Sequence, residues 1–260
     1  MWPLQRVRRV DSMKIAIVSD VHGNLTALEA VVADLKQQSP DLVLHGGDLV
    51  FGGANPAEVV DAIAAEGWPG VLGNTDEMLW KPELLESRIA AAPKLEPMLR
   101  VFFTEMAPVT TKWLGEGRMQ WLRKLPLEYR QRDMVLLHAG PGDLWKSPMD
   151  DADDESLRAT YGSMDAKLVV YCHIHRPFVR RVGEMTVCNC GSVGAPYDGD
   201  PRASYLLING DLPSIRRIQY DLKKETERLS RSGYPFNKWI DEMRRQGVYV
   251  PLPQMTPAQN

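Results

Sequence analysis

The 260-residue chain is short of cysteine, of excess charge and of long apolar runs, and each shortage removes a class of protein. Its three cysteines, Cys172, Cys188 and Cys190, form an odd set without the spacing of a structural zinc site or a redox motif. That excludes a disulfide scaffold and favours reduced thiols in a cytoplasm. Its 31 Lys+Arg are outnumbered by 34 Asp+Glu, a net charge of -3. No global basic field is available to hold a nucleic-acid backbone, so a large nucleic-acid partner is not expected. No stretch approaches the roughly 18 apolar residues of a membrane-spanning helix, and the N-terminus lacks the apolar core of a secretory signal. A soluble, cytoplasmic protein without a membrane partner is the expectation.

What remains is 44% hydrophobic and 25% charged, an ordinary globular composition. Residues 1–12, MWPLQRVRRVDS, are basic and unpatterned and read as a flexible extension. KIAIVS, up to Ser19, reads as a strand, and Leu25, Leu28, Val31, Val32 and Leu35 follow at helical spacing. The unit repeats with a strand at Leu42 to His45 and a helix at Ala57 to Glu66, started by Asn55-Pro56 and ended by Gly67. A third strand is expected at Pro69 to Leu72. From about 76 to 125 the pattern turns helical, with Trp80, Trp113 and Trp121 read as packing residues.

Strands return at Leu127 to Arg130, Met134 to His138, Lys167 to Tyr171, Phe178 to Val182, Met185 to Asn189, Ala203 to Ile208 and Ile215 to Tyr220. A charged helical tail follows from Asp221 to Gln246, its charges around Lys223 to Arg231 read as a solvated face. These elements predict an α/β chain with two sheets packed face to face and helices outside. One domain over 13–246, with a helical insertion at about 76–125 and a tail at 247–260, is the expected organisation.

The chemistry gathers at strand ends. Asp20 and His22 follow the first strand in S-D-V-H-G-N, two residues apart, a spacing that sends both side chains one way if the chain is extended. Asp48 follows the second in H-G-G-D-L, and Asn74 follows the third in L-G-N-T-D. His138 ends V-L-L-H, and His173 and His175 end V-V-Y-C-H-I-H. A lone Asp after a strand is commonly a helix cap and a lone His a core residue. Seven such groups at one sheet edge are costly unless metal neutralises them. Mixed carboxylate and imidazole without a thiolate cage suits manganese, iron or zinc. Seven ligands are too many for one ion with open positions and suit two ions sharing a carboxylate.

The order D-x-H, G-D, G-N, H and H-x-H, from Asp20 to at least Ile208, resembles the calcineurin-like metallophosphoesterases. Asn189 to Tyr205, with its glycine-serine turn after H-x-H, is similar to their bacterial and archaeal phosphodiesterase branch. The resemblance implies a four-layer αββα sandwich of two mixed β-sheets flanked by helices. It implies that Asp20, His22 and His175 hold one divalent ion, that Asn74, His138 and His173 hold the other, and that Asp48 bridges them, with manganese the activating metal. The reaction implied is attack on phosphorus by a metal-bridging hydroxide.

The sequence departs from the family's widest pattern at Thr75, where many members carry a histidine thought to assist the leaving group. That favours a phosphodiesterase acting on a small or nucleotide-like ester, with a phosphomonoesterase or Ser/Thr protein phosphatase as the alternative. A non-catalytic scaffold, like a related retromer subunit, is the third reading. It is disfavoured because no ligand is missing. A homo-oligomer stays open.

Other positions keep two readings. Asp76 caps the next helix or contacts a donor behind the ligands, and it is the one catalytic candidate outside them. Asn24 caps the first helix or faces substrate. Gly191 and Ser192 offer backbone donors to a phosphate or form a plain turn. Arg202 faces a phosphate or solvent. His45 is a backbone-bonded core residue or a proton relay. Cys172 is a small hydrophobe or a reach toward metal.

Overall fold

In a computed structural model the described residues are 13–253; the expected extension at 1–12 and the end of the tail lie outside them. The first strand, β1 (Lys14–Val18), is buried at four of its five positions, the pattern of a central strand covered on both faces. It pairs in parallel with β2 (Leu42–His45), Ile15 opposite Leu42. A parallel pair needs a crossover, supplied by α1 (Leu25–Gln38). Asn24 opens that helix by accepting the Ala27 amide at 3.0 Å, and Leu28, Val31 and Leu35 form its buried stripe.

On its other edge β1 meets β8 (Ala203–Asn209) antiparallel, and β9 (Leu212–Ile218) completes a four-stranded sheet in the order β2-β1-β8-β9. A second sheet of five runs β3 (Glu128–Gln131), β4 (Met134–Leu137), β5 (Leu168–Tyr171), β7 (Met185–Asn189), β6 (Phe178–Val182). Its central β4, β5 and β7 are parallel to one another. Both sheets are therefore mixed.

Ile15, Ile17, Leu44, Leu206 and Ile208 of the first sheet form one cluster with Leu136, Val170, Cys172, Cys188 and Cys190 of the second. Truncating Ile17, which has no exposed surface, to Ala costs about 2–5 kcal/mol by opening a cavity there. Over the outer face of the first sheet lie α1, α2 (Pro56–Glu66), α6 (Ala107–Leu122), α8 (Leu222–Ser232) and α9 (Asn237–Gln246), sharing the largest core. Over the second lies α7 (Asp154–Tyr161), through Leu157 and Tyr161. The layers are helix, sheet, sheet, helix, as the resemblance implied.

The helical stretch comprises α3 (Asn74–Glu77), α4 (Leu84–Ala91), α5 (Glu96–Val101), a more loosely wound turn at Phe102–Met106, and α6, which bends at Gly115. Trp80, Trp113 and Trp121 pack half-buried against the largest core. The expected third strand at Pro69 to Leu72 contracts to a single bridge between Gly70 and His45. Pro69 has no amide to donate, and a Cβ at Gly70 would lie 2.2 Å from the His45 carbonyl oxygen, so backbones touch where a strand would place side chains. Among the described residues no helix is long and apolar enough to cross a membrane.

Candidate metal centre

All seven strand-end residues converge. Asp20, His22 and His175 present ligand atoms within 4.8 Å of one another, and so do Asp20, Asp48 and His138. Asn74 Oδ1 lies 2.8 Å from His138 Nε2 and 2.9 Å from His173 Nδ1, which brings the remaining two into the same cluster. Asp48 faces both halves, with Oδ2 3.8 Å from His22 Nε2 and Oδ1 3.5 Å from His138 Nε2.

The backbone achieves this differently from simple extended alternation. Asp20, His22, Asp48, His173 and His175 all have φ between +50° and +68°, and they are five of the nine non-glycine residues in that region among those described. Left-handed backbone is tolerated by Asp and His better than by most residues, yet costs about 1–3 kcal/mol where strained, and such positions collect at functional sites. Here each turns the chain sharply off a strand end. Glycine does the rest: a Cβ at Gly73 would come within 2.1 Å of Asp48 Oδ1, and one at Gly194 within 1.8 Å of the Val21 carbonyl. The G-N and G-S-V-G segments are thus contact points between ligand loops.

The imidazole protons can be placed by elimination. A carbonyl oxygen only accepts, so His22 Nδ1 donates to Phe51 O at 2.8 Å, His138 Nδ1 to Gly46 O at 2.7 Å, and His175 Nδ1 to Ala195 O at 2.5 Å. In each neutral ring the Nε2 lone pair then faces inward. His22 Nε2 and His175 Nε2 stand 3.2 Å apart, and His175 Nε2 is 3.1 Å from Asp20 Oδ1. Among the described residues neither buried oxygen of Asp20 has a partner in hydrogen-bond geometry. Lone pairs aimed at one another in a buried space call for a cation between them, so the donor set fits divalent metal.

The electrostatics follow from that crowding. Burial alone would raise the Asp20 carboxyl, but His175, with His138 and His22, holds it well below the usual carboxylate range. Burial, then the charge of His175, brings His22 down to about 4; burial and then His138 do the same to His173, also about 4. Burial pulls His175 down, but Asp20, with the Ala195 carbonyl and Asp48, moves it up on balance. The neutral rings favoured at His22 and His173 are the forms that ligate.

Asp76 does not cap a helix but contacts a backbone donor behind the ligands, the second of its two readings. It sits inside α3 and accepts the Leu49 amide through both oxygens, at 3.0 and 3.3 Å, while burial and then Asp48 push its carboxyl up to about 7. Asn24 is occupied by the helix cap and by Gly194 O at 3.1 Å. The Gly191 amide donates to Asn189 Oδ1, and the Ser192 hydroxyl donates to Asp20 O at 2.7 Å and accepts from the Ala195 amide. Arg202 is exposed and pairs with Asp200. The partners of these four lie in the ligand loops or at the surface.

His45 is fully buried beside Trp121, and neither ring nitrogen has a partner among the described residues, so the backbone bond expected of a core histidine is not seen. Cys172 Sγ lies 3.5 Å from Cys190 Sγ, both buried, in the inter-sheet core and outside the ligand groups. A cavity of about 490 Å³ lined by Ile15, Met134, Lys167 and Arg181 opens at the opposite end of the sheets, away from every ligand.

Sequence reasoning missed three groups of supports. The Phe51, Gly46 and Ala195 carbonyls that set the tautomers carry no signal in residue type. Asn189, whose amide donates to Cys172 O at 2.7 Å beside the H-x-H ligands, was readable only as a strand end. Glu225, which falls among the charges around Lys223 to Arg231 read as a solvated face, and Arg244, in the charged helical tail, are each 1% exposed. Their signal was position: Glu225 lies between Leu222 and Leu229 on one helical face, and Arg244 lies four residues after Ile240.

The calcineurin-like phosphoesterase superfamily domain matches residues 13–211. The chain belongs to that family. It is therefore a phosphoesterase, a hydrolase of phosphate esters from a divalent-metal-dependent superfamily. An uncharacterized protein of Methanocaldococcus jannaschii is 28% identical over 255 residues, covering 88% of this chain and 96% of the relative. The phosphodiesterase YfcE of Escherichia coli K12 is 28% identical over 216 residues, covering 78% and 91%. Among solved structures, a metallophosphoesterase from Sphaerobacter thermophilus superposes with a TM-score of 0.74 at 25% identity, over 91% of this chain and 100% of that one.

Proposed function

We propose that this phosphoesterase is a phosphodiesterase for small or nucleotide-like diesters, working with two divalent ions held by Asp20, His22, Asp48, Asn74, His138, His173 and His175. Two such ions, when bound, lower the pKa of water to make a nucleophile near neutral pH and neutralise phosphoryl oxygens. Asp48, facing both halves, is the shared ligand; the mixed carboxylate, amide and imidazole donors suit manganese, iron or zinc, and of these we assign manganese as the activating metal. The three buried, unbridged thiols suit a reducing compartment, and we assign the chain to the cytoplasm.

The observation that carries the diester reading is Thr75. It follows Asn74 in the first turn of α3, its amide donates to Asp48 Oδ1 at 2.9 Å, and its buried hydroxyl has no partner. An alcohol does not serve as a general acid near neutral pH. His22, His138 and His175 belong to the candidate ion groups, His173 meets Asn74, and His45 is sealed in the core. Both oxygens of Asp76 are bonded to the Leu49 amide. Among the described residues no imidazole is left over to protonate a departing oxygen, so esters whose leaving group departs as an anion are favoured. The E. coli relative's name, phosphodiesterase, agrees. The helical stretch around 76–125 is the part we assign to substrate choice.

Manganese-loaded protein should hydrolyse a bis-aryl phosphate faster than the matching mono-aryl phosphate. The reverse order replaces this reading with a phosphomonoesterase or protein phosphatase on the same ligands.

A further inference from the structure

The family match ends at residue 211, and α8 and α9 lie beyond it. From α9, Arg244 reaches back across the molecule. One guanidinium nitrogen donates to His22 O at 2.7 Å and to Gly52 O at 3.1 Å, and the other pairs with Glu225 of α8. Glu225 also accepts from the Thr26 hydroxyl at 2.7 Å. Two opposite charges with almost no exposure are costly to desolvate, and replacing such a pair with apolar side chains is often neutral or stabilising. Stability alone is therefore a weak reason for this pair. Its contacts supply a better one.

His22 and Gly52 belong to two different loops that must stay in register. His22 is left-handed, its ring is oriented by Phe51 O, and its amide donates to Asp48 O at 3.1 Å. Gly23 and Leu49 continue the ladder through an amide-to-carbonyl bond of 2.9 Å. The Gly52 amide donates to the Tyr234 hydroxyl at 3.1 Å, a second tie to the segment between α8 and α9. Arg244 thus bridges the carbonyl of a candidate ligand to the loop that sets that ligand's tautomer.

We infer that Arg244, held by Glu225, is a positioning residue that fixes His22 for the ion it shares with Asp20 and His175. The inference rests on the two-ion reading above. It makes the C-terminal helix pair a functional part of the centre, specific to the half of the site that contains His22. A planar fork suits two carbonyls and a carboxylate at once, whereas a lysine ammonium cannot reproduce all three contacts in one geometry.

The test titrates metal-free protein with manganese chloride by calorimetry, comparing wild type, Arg244→Met with Glu225→Met, and Arg244→Lys, each checked for cooperative thermal unfolding. Wild type should take up two ions. The double variant should stay folded and bind one ion as before and the other about 10–100-fold more weakly, the usual penalty for removing a group behind a ligand. Its turnover should recover at saturating manganese, a shift that a purely structural role would not produce. Arg244→Lys, which keeps the charge against Glu225, should fall between and decides the matter alone if the double variant does not fold. A folded variant that binds both ions like wild type overturns the inference. A wild type that takes up fewer than two ions overturns the reading beneath it.

Discussion

The two halves of the centre are built to different standards. In the first, His22 and His175 each have a ring nitrogen bonded to a backbone carbonyl, Asp20 is wholly buried, and Ser192 and Arg244 hold the ligand backbones from behind. In the second, only His138 is anchored this way; His173 is partly exposed and its Nδ1 meets Asn74 Oδ1 and no backbone group. Pre-organised ligands lose less freedom on binding. The first half should therefore hold its ion tightly before substrate arrives, and the second should be weaker and open toward the cleft. Asp48 lies near both, its two oxygens facing His22 and His138.

The largest effect should come from Asp48→Asn, which removes the charge facing both halves. Activity should drop by more than the about 10–100-fold typical of residues behind a ligand, and the two halves should cease to differ because both lose affinity. Retained hydrolysis and metal content would remove the shared-ligand claim.

Next, Asn74→Ala should sharpen the contrast. The weaker ion should be lost while the stronger remains, so that titration reads one tight ion per chain. Loss of the tight ion instead would reverse the ranking of the halves.

Gly73→Ala should act through the coupling residue. The added Cβ would overlap Asp48, and relieving it costs about 1–3 kcal/mol of overpacking together with a displaced carboxylate. Thermal unfolding should fall and activity should fall further than Gly70→Ala, which crowds His45 rather than a ligand.

The smallest effect lies outside both halves. Burial brings the His45 imidazole down to about 3, from about 6.5 for an imidazole in water. Its neutral form is favoured in the fold, so as pH falls from about 6.5 toward 3 the unfolded chain takes up a proton that the folded chain refuses, and stability is lost. His45→Leu should be more stable than wild type by a margin that grows as pH falls through that window. A margin independent of pH would mean the ring is not held neutral.

Much of this was legible because metal ligands leave a pattern in residue type and spacing. Strand ends carrying Asp20, His22, Asp48, Asn74, His138, His173 and His175 identified the cluster, and β6 and β7 fell where alternation and turns placed them. Pro69 and Gly70 were over-read as a strand because an apolar run does not reveal that two backbones touch. The left-handed backbone at the ligands was invisible, since Asp and His adopt it only under tertiary constraint. Glu225 was missed because charge around Lys223 to Arg231 reads as exposure, and Arg244 because a charged helical tail carries no signal of burial, although both sit on faces otherwise apolar. Carbonyl partners such as Phe51 O belong to the fold and to no residue type.

The central claim is that Asp48 joins two unequal sites. Its most direct test is titration of metal-free protein with manganese, read by electron paramagnetic resonance. The account predicts two ions per chain, a first with an isolated signal and a second whose binding converts it to a spin-coupled pair, with coupling absent in Asp48→Asn. One ion per chain, or two that never couple, would contradict it.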